Sequence, residues 1–456
     1  MGQIAPRELL QTGSSGLCLH SSFAPSRPHL RLAAAFRHAL ENSCPGEHKP
    51  PRRVLNAGHM HAEAVIFSGH PEDTEQADLR SPRTPWFIPP SHPVYRPSHS
   101  FRCEVLIVGA GITGTLMAER LTRQGLEVVL IDRERPGRGS TAASTAMLLW
   151  EIDRSLTELA QLYGLEHAAR CVRASFEAVN GLQRLIARHG LPCQMRRRQS
   201  LYLASGNTAT SLQEEMALRH RVGLPGAFLD HASLLRNFGI ARAAAILSPD
   251  VADADPVQLT SGLLDISLGR GAKLFEANAL AFDSGGSSVN VSLDNGREIE
   301  ARYAVLATGY VMPEIVRPEI QHATSSWAIA TTPQPQNLWQ DGVLIWEDSK
   351  DYHYARTTAD GRIIFGGEDD STIVEPEARD AAVPVKAKAL AQKLAALWPR
   401  AALDIDCRWA GTFDTTDDGL PLIGAVPGAK NLFAAYGYGG NGITFSYLAA
   451  ELISRP

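Results

Sequence analysis

The stretch Glu104-Val105-Leu106-Ile107-Val108-Gly109-Ala110-Gly111-Ile112-Thr113-Gly114 decides the fold of this chain. Val105–Val108 is apolar and rich in β-branched residues, the pattern of a fully buried strand. Beyond the first glycines, Ile112/Leu116 and Met117/Leu121 stand at helical i,i+4 spacing, and Gly125 stands where a helix would end. A second strand reads over Glu127-Val128-Val129-Leu130-Ile131 and closes on Asp132. Strand, glycine turn, helix, strand and acid in this order make the dinucleotide fingerprint. In it Gly109 permits the tight turn, Gly111 lets the backbone approach a pyrophosphate, and Gly114 lets helix and strand pack closely. The helix N-terminus offers N–H groups and the positive end of its dipole to phosphate oxygens. Asp132 lies about 20 residues on, where an acid hydrogen-bonds a ribose hydroxyl. The expectation is a bound dinucleotide. The alternative is a glycine-bearing turn in a ligand-free α/β fold.

At 456 residues the chain has room for about two or three domains. Its hydrophobic fraction is 44%, its charged fraction 20% and its net charge −5, which gives no nucleic-acid surface. Arg196-Arg197-Arg198, the tight basic run, reads as a solvated loop. No apolar stretch approaches the ~18 residues that span a bilayer, so no transmembrane segment is expected. The six cysteines are scattered, with no CxxC and no metal spacing. That pattern predicts reduced thiols and a cytoplasmic protein. His59-Met60-His61 lacks further ligands nearby, and no metal is expected.

Residues 1–84 carry Pro and Ser clusters and few periodic apolar segments, and read as disordered or as an over-long gene start with Met60 a later candidate initiator. Arg31–Arg37 would make a marginal short helix. Pro85-Trp86-Phe87-Ile88-Pro89-Pro90 reads as an ordered, irregular arm. Helical spacing returns around 154–189 and 384–398, and strands read at Ser200–Leu203, Val289–Leu293 and Tyr303–Ala307. Asp294-Asn295-Gly296 reads as a hairpin turn, and a β-rich block spans roughly 322–368.

Three later segments bear on the cofactor. Gly137–Thr145 is rich in small residues and hydroxyls, suited to lie against phosphates and ring edges; Ser140, Thr141, Ser144 and Thr145 are its candidates. Val305-Leu306-Ala307-Thr308-Gly309 is an apolar strand with a small-residue end, suited to a second close approach. Asp418-Gly419-Leu420-Pro421-Leu422-Ile423-Gly424 precedes the glycine loop Tyr436–Thr444, which would aim a helix N-terminus at an anionic ring. With Asp255-Pro256-Val257-Gln258-Leu259 and Gly361–Gly367, these segments come in the order of the FAD-dependent amine and amino-acid oxidoreductases, and the chain resembles that family of D-amino-acid oxidase, glycine oxidase and sarcosine oxidase over about residues 85–456.

The resemblance implies an α/β fold: a Rossmann-like FAD-binding domain interleaved with a substrate domain on a mixed β-sheet. The expected division is 85–195, 241–315 and 405–456 for the FAD domain, and 196–240 and 316–404 for the substrate domain. It implies FAD held by Gly109, Gly111, Ile112, Thr113, Gly114, Asp132, Arg133, Ser140, Thr141, Ser144, Thr145, Thr308, Gly309, Gly424, Gly439, Gly440, Asn441, Gly442, Ile443 and Thr444, with Leu280 near the adenine. Attachment is expected to be noncovalent, since Cys407 is the only late cysteine and Ser140–Thr145 holds no histidine. Two departures stand out. Amino-acid-oxidising members carry an arginine where this chain has Phe413, so the bidentate carboxylate clamp is missing. The chain also ends at Pro456, whereas members run on by roughly twenty residues past the last helix, whose end is uncertain by a few; reduced stability and activity are the expected consequence.

The implied activity is oxidation of a C–N bond: hydride passes from the α-carbon of a small-molecule amine to flavin N5, the imine hydrolyses, and oxygen or a quinone takes the electrons. Period-two alternation puts Tyr352, Tyr354 and Arg356 on one strand face, an aromatic wall with a cation for substrate anchoring. The alternative is a sheet face packed under a loop. His353 points to the other face as a structural residue, and Trp327 and Trp346 read as core. The rivals are an FAD-dependent dehydrogenase of a hydroxy acid or polyol phosphate, a nicotinamide-only dehydrogenase, and a catalytically weak FAD-binding protein.

Overall fold

The computed structural model describes residues 64–65, 83–86, 94–206, 208–316, 321–348 and 352–455. The buried apolar run Val105–Val108 forms the C-terminal half of strand Phe101–Val108, at the centre of the first sheet. Parallel to it lie Val128–Asp132 on one side and Glu298–Leu306 on the other, and Lys273–Glu276 and Leu432–Tyr436 extend the parallel core. Runs buried on both faces demand cover. The helices Ile112–Arg123, Leu165–His189, Pro256–Gly269 and Gly442–Ile453 supply it, burying Leu116, Leu182, Leu263 and Ala449 in one apolar core. The expected hairpin is present: Val289–Leu293 pairs antiparallel with Glu298–Leu306, and Gly296 takes φ +73° in the turn.

A second sheet runs in the order Ile405–Thr416, Gln321–Thr331, Ile363–Asp370, Tyr354–Thr357, Leu344–Asp348, Arg196–Ala204, Ala244–Asp253 and Met147–Leu148. Its other face packs on helix Val383–Leu397 through Leu390 and Leu394. The two sheets match the expected mixed α/β architecture, but the strands divide differently from the expected boundaries. Ala244–Asp253, Met147–Leu148 and Ile405–Thr416 belong to the second sheet, although the sequence assigns them to the FAD domain. Each is joined to it by a long-range antiparallel ladder, a pairing that no local pattern reveals. Within the leading segment, Ala64–Val65 pairs with Val94–Tyr95, so part of 1–84 is built into the first sheet. Residues 31–37, His59–His61 and Phe87–Pro90 lie outside the described residues. Trp86 of the expected arm is buried, and its indole N–H donates to the Ser144 carbonyl at 3.0 Å.

The basic run is not a solvated loop. Arg196 and Arg198 sit on a strand and converge on the fully buried Asp253, at 2.7 Å and 3.3 Å. Arg356 joins them from the neighbouring region, 3.5 Å from Asp253. Its Nη1 donates to the carbonyls of Thr145, Ala146 and Ala254 at 2.7, 2.9 and 3.0 Å. The expected substrate anchor is therefore buried and fully engaged in the protein. Burial pushes its pKa down to about 10, which still leaves it charged at neutral pH. Removing its donors orphans carbonyls at roughly 1–3 kcal/mol each. We expect Arg356→Met to lower stability in urea by about 3 kcal/mol or more. An unfolding midpoint equal to that of the parent would show that water replaces the guanidinium.

Candidate functional site

The glycine turn is built by close approach. A Cβ on Gly109, which has φ +105°, would stand 2.3 Å from the Ala307 carbonyl oxygen, and one on Gly114 would stand 1.8 Å from the Gly109 carbonyl oxygen. Both positions exclude side chains for reasons internal to the protein. Gly111 differs: a Cβ there would meet only the Thr141 hydroxyl, at 3.1 Å. It faces a cavity of about 710 Å³, within the ~300–1,000 Å³ of small-molecule and cofactor sites. The helix Ile112–Arg123 begins at Gly111, which has no side chain to cap it, so its first turn is presented to the cavity.

Asp132 orders this turn. One carboxylate oxygen accepts from the Ala110 N–H at 2.7 Å and the other from the Glu134 N–H at 2.9 Å. Burial nonetheless raises its pKa to about 6. The Thr141 hydroxyl accepts the Ile112 N–H at 3.0 Å, tying the 140–146 segment to the helix start. That segment is held by its own carbonyls. Ala143 accepts from the Trp409 indole (2.9 Å), Ser144 from Trp86, and Thr145 and Ala146 from Arg356. Thr308 closes the opposite wall, with its hydroxyl 2.9 Å from the Tyr436 hydroxyl.

Of the expected dinucleotide residues, Gly109, Gly111, Ile112, Thr113, Asp132, Arg133, Ser140, Thr141, Ser144, Leu280, Thr308, Gly309, Gly442 and Ile443 line this cavity. Leu280 is exposed at its outer end. The others have different places. Gly114 packs the helix onto the turn. Thr145 hydrogen-bonds the Tyr354 hydroxyl. The Thr444 hydroxyl donates to the Leu149 carbonyl at 2.8 Å, and Gly424 pairs with Ala434 in the edge hairpin. Gly439, Gly440 and Asn441 turn toward Asp153: the Gly440 N–H and the Asn441 side-chain amide each donate to it at 3.0 Å. A Cβ on Gly439 would stand 1.9 Å from that carboxylate. These glycines make room for an acid.

Of the expected catalytic group, Tyr352 and Tyr354 are neighbours, with ring centroids 5.9 Å apart, and Arg356 is the buried cation described above. Tyr352 lies before the strand with φ +33°, so alternation is not what sets its direction. His353 is buried between the carboxylates of Glu347 and Glu368, at 3.2 and 3.3 Å, and stacks on Phe365. Trp327 is core, its indole N–H donating to the Arg379 carbonyl. Asp414, Tyr436 and Tyr438 also line the cavity, and the sequence reading did not single them out. Asp414 adjoins Phe413, itself in the lining, and its buried carboxyl has a pKa raised to about 7 by desolvation alone.

Two predictions follow from these environments. Gly111→Leu should fold and lose its dinucleotide, whereas Gly114→Leu should fail to fold; circular dichroism with cofactor analysis separates them, and a Gly111→Leu protein that keeps its dinucleotide would misplace the site. The folded-state pKa of Asp414 lies above its unfolded value. Its stability contribution is therefore full below the ordinary carboxylate range and lost as pH rises through about 7. Asp414→Asn should then raise the melting temperature over the parent by more at pH 8 than at pH 5. An equal gain at both would contradict that environment.

Among the described residues no helix is long and apolar enough to cross a membrane, and no group of three or more His, Cys, Asp or Glu could hold a metal ion. Gamma-glutamylputrescine oxidoreductase from Escherichia coli (strain K12) is 24% identical over 368 residues, 78% of this chain and 84% of that protein. Glycine oxidase from Geobacillus kaustophilus superposes with a TM-score of 0.66 at 20% identity, covering 77% of this chain and 93% of that one. L-proline dehydrogenase from P. horikoshii gives 0.66 at 19% identity, covering 78% and 93%. The cavity suits FAD, with an open Gly111, a helix start, and hydroxyls on both walls. A family model described as DAO, FAD dependent oxidoreductase, matches residues 104–455, and the chain belongs to that family.

Proposed function

We propose that this flavoenzyme oxidises the C–N bond of an amine that carries no α-carboxylate. One observation carries the reading: the charge at the Phe413 end of the cavity. Phe413 is apolar, Arg356 is locked into the interior, and the charged neighbour in the lining is the acid Asp414. Such a wall suits an ammonium and offers nothing to a carboxylate. The E. coli relative named for gamma-glutamylputrescine supports an amine substrate.

When bound, FAD supplies the hydride acceptor. Gly111, Thr113 and the helix start would hold its pyrophosphate, Ser140, Thr141 and Ser144 would border it, and binding would be noncovalent. Phe413 packs against the apolar part of the amine. The Asp414 carboxyl, its pKa raised by burial to about 7, takes the proton that the ammonium must give up before its α-hydrogen can leave as hydride. Tyr354, its hydroxyl held by Ser326 at 3.3 Å and by Thr145, orients the substrate from the side of the second sheet. Oxygen or a quinone is the terminal acceptor.

Anaerobic mixing with unbranched primary and secondary amines should bleach the flavin, while glycine and D-alanine should do so at least about tenfold less effectively. Phe413→Arg should narrow that gap. Bleaching by glycine or D-alanine as readily as by any amine would overturn the proposal, and bleaching by hydroxy acids alone would favour the alcohol-oxidising alternative.

A further inference from the structure

Four aromatic side chains gather beside the site. Tyr202 and Trp346, on adjacent strands, stack with centroids 3.9 Å apart. Trp346 lies 6.4 Å from Tyr352, and Tyr352 lies 5.9 Å from Tyr354. Two carboxyls belong to the same group. Asp153 reaches it through the glycine loop: a Cβ on Gly440 would stand 3.2 Å from Asp153 Oδ1 and 3.7 Å from the Tyr352 hydroxyl. Asp369 reaches it through Ser326, which bonds both Asp369 and the Tyr354 hydroxyl.

Tyr202, Tyr352, Tyr354 and Asp369 of the group are half-buried, and Asp153 is exposed. Asp153 keeps solvent contact, yet protein encloses it closely enough that desolvation raises its pKa to about 6. Asp369, raised to about 7, also feels Asp153 as a like charge. Among the described residues neither acid has a salt-bridge partner. The nearby lysines bond elsewhere, Lys386 to the Glu368 carbonyl and Asp370 and Lys393 to Glu368, although Lys386 still lowers the Asp369 pKa through space. Among the described residues, two polar atoms of the group, Asp369 Oδ1 and Trp346 Nε1, are buried without a partner. Unpaired buried polar atoms are costly, and their presence here points to a ligand that completes the site. Aromatic faces with carboxylates are the chemistry that recognises an organic cation.

We propose that this aromatic and acidic cluster holds a second, cationic group of the substrate, so that the substrate class is a diamine or an amine bearing a distal ammonium. The inference rests on the amine-oxidising reading above. An amine held as ammonium has no lone pair with which to expel a hydride. The nitrogen held by the cluster is therefore not the one oxidised, and the reacting C–N bond belongs to another part of the same molecule. Thr145 bonds Tyr354 and adjoins Ser144 of the cavity lining, and Asp153 is bonded to Gly440 and Asn441, next to Gly442 of the lining. The cluster therefore borders the cavity through both the 140–146 segment and the glycine loop.

The test is calorimetric titration of the FAD-loaded protein with choline and with its uncharged isostere 3,3-dimethyl-1-butanol, followed by anaerobic flavin reduction with 1,4-diaminobutane and with butylamine. We expect choline to bind at least about tenfold tighter than the alcohol, and Asp369→Asn to remove most of that preference. The diamine should half-saturate flavin reduction at a concentration about tenfold or more below that of the monoamine. Equal or undetectable binding of choline and the alcohol in the parent protein overturns the cation subsite, whatever the variant does. If choline binds selectively but no amine reduces the flavin, the subsite stands and the amine-oxidising reading falls. If amines reduce the flavin with no preference for the diamine, and choline is not preferred, the reading stands and the subsite falls.

Discussion

Four consecutive carbonyl oxygens, Ala143 to Ala146, are each held by a side chain from a distant part of the chain, and the rest of the site depends on that restraint. The donors are Trp409, Trp86 and, twice, Arg356, separated in sequence from their acceptors by 58 to 266 residues. The segment they hold is poor in regular structure and has Ala146 at φ +52°, a conformation that costs a non-glycine residue about 1–2 kcal/mol. Left alone it would not stay in place. Held, it sets Ser140, Thr141 and Ser144 in the cavity wall and supplies the Thr141 hydroxyl to the start of the nucleotide helix. Arg356 and Trp409 are residues of the second sheet, and through Thr141 the segment they hold reaches the helix that follows the first sheet's central strand.

The glycine turn was legible because its logic is local. Gly109, Gly114 and Asp132 meet within one βαβ unit, where spacing alone brings them together. Arg356 was not legible, because a cation's role is set by what surrounds it. Alternation proposed its face, but three carbonyls and Asp253 claim its guanidinium, all at least 100 residues away in sequence. Arg196 and Arg198 mislead in the same way: a basic run looks solvated until the buried acid that it serves is found on another strand. The chain stays in the second sheet across 241 and 405 and crosses to the first only after Asp253 and after Thr416, and crossing leaves no mark in composition.

The glycine loop before the last helix shows how a correct segment carries a partly different role. Its ends, Gly437, Tyr438, Gly442 and Ile443, line the cavity, whereas Gly439, Gly440 and Asn441 hold Asp153. With Arg356 withdrawn and Phe413 apolar, carboxyls replace the cation that the sequence placed beside the reacting group. The proposed preference for an amine without an α-carboxylate rests on that change of sign.

The central claim is that the cavity between glycine turn and pinned segment holds one FAD without a covalent bond. Precipitating the purified protein with acid and identifying the flavin in the supernatant tests this most directly. The account predicts about one FAD per chain released, leaving a colourless pellet. A protein that purifies colourless and takes up no FAD, or flavin that stays in the pellet, would contradict it.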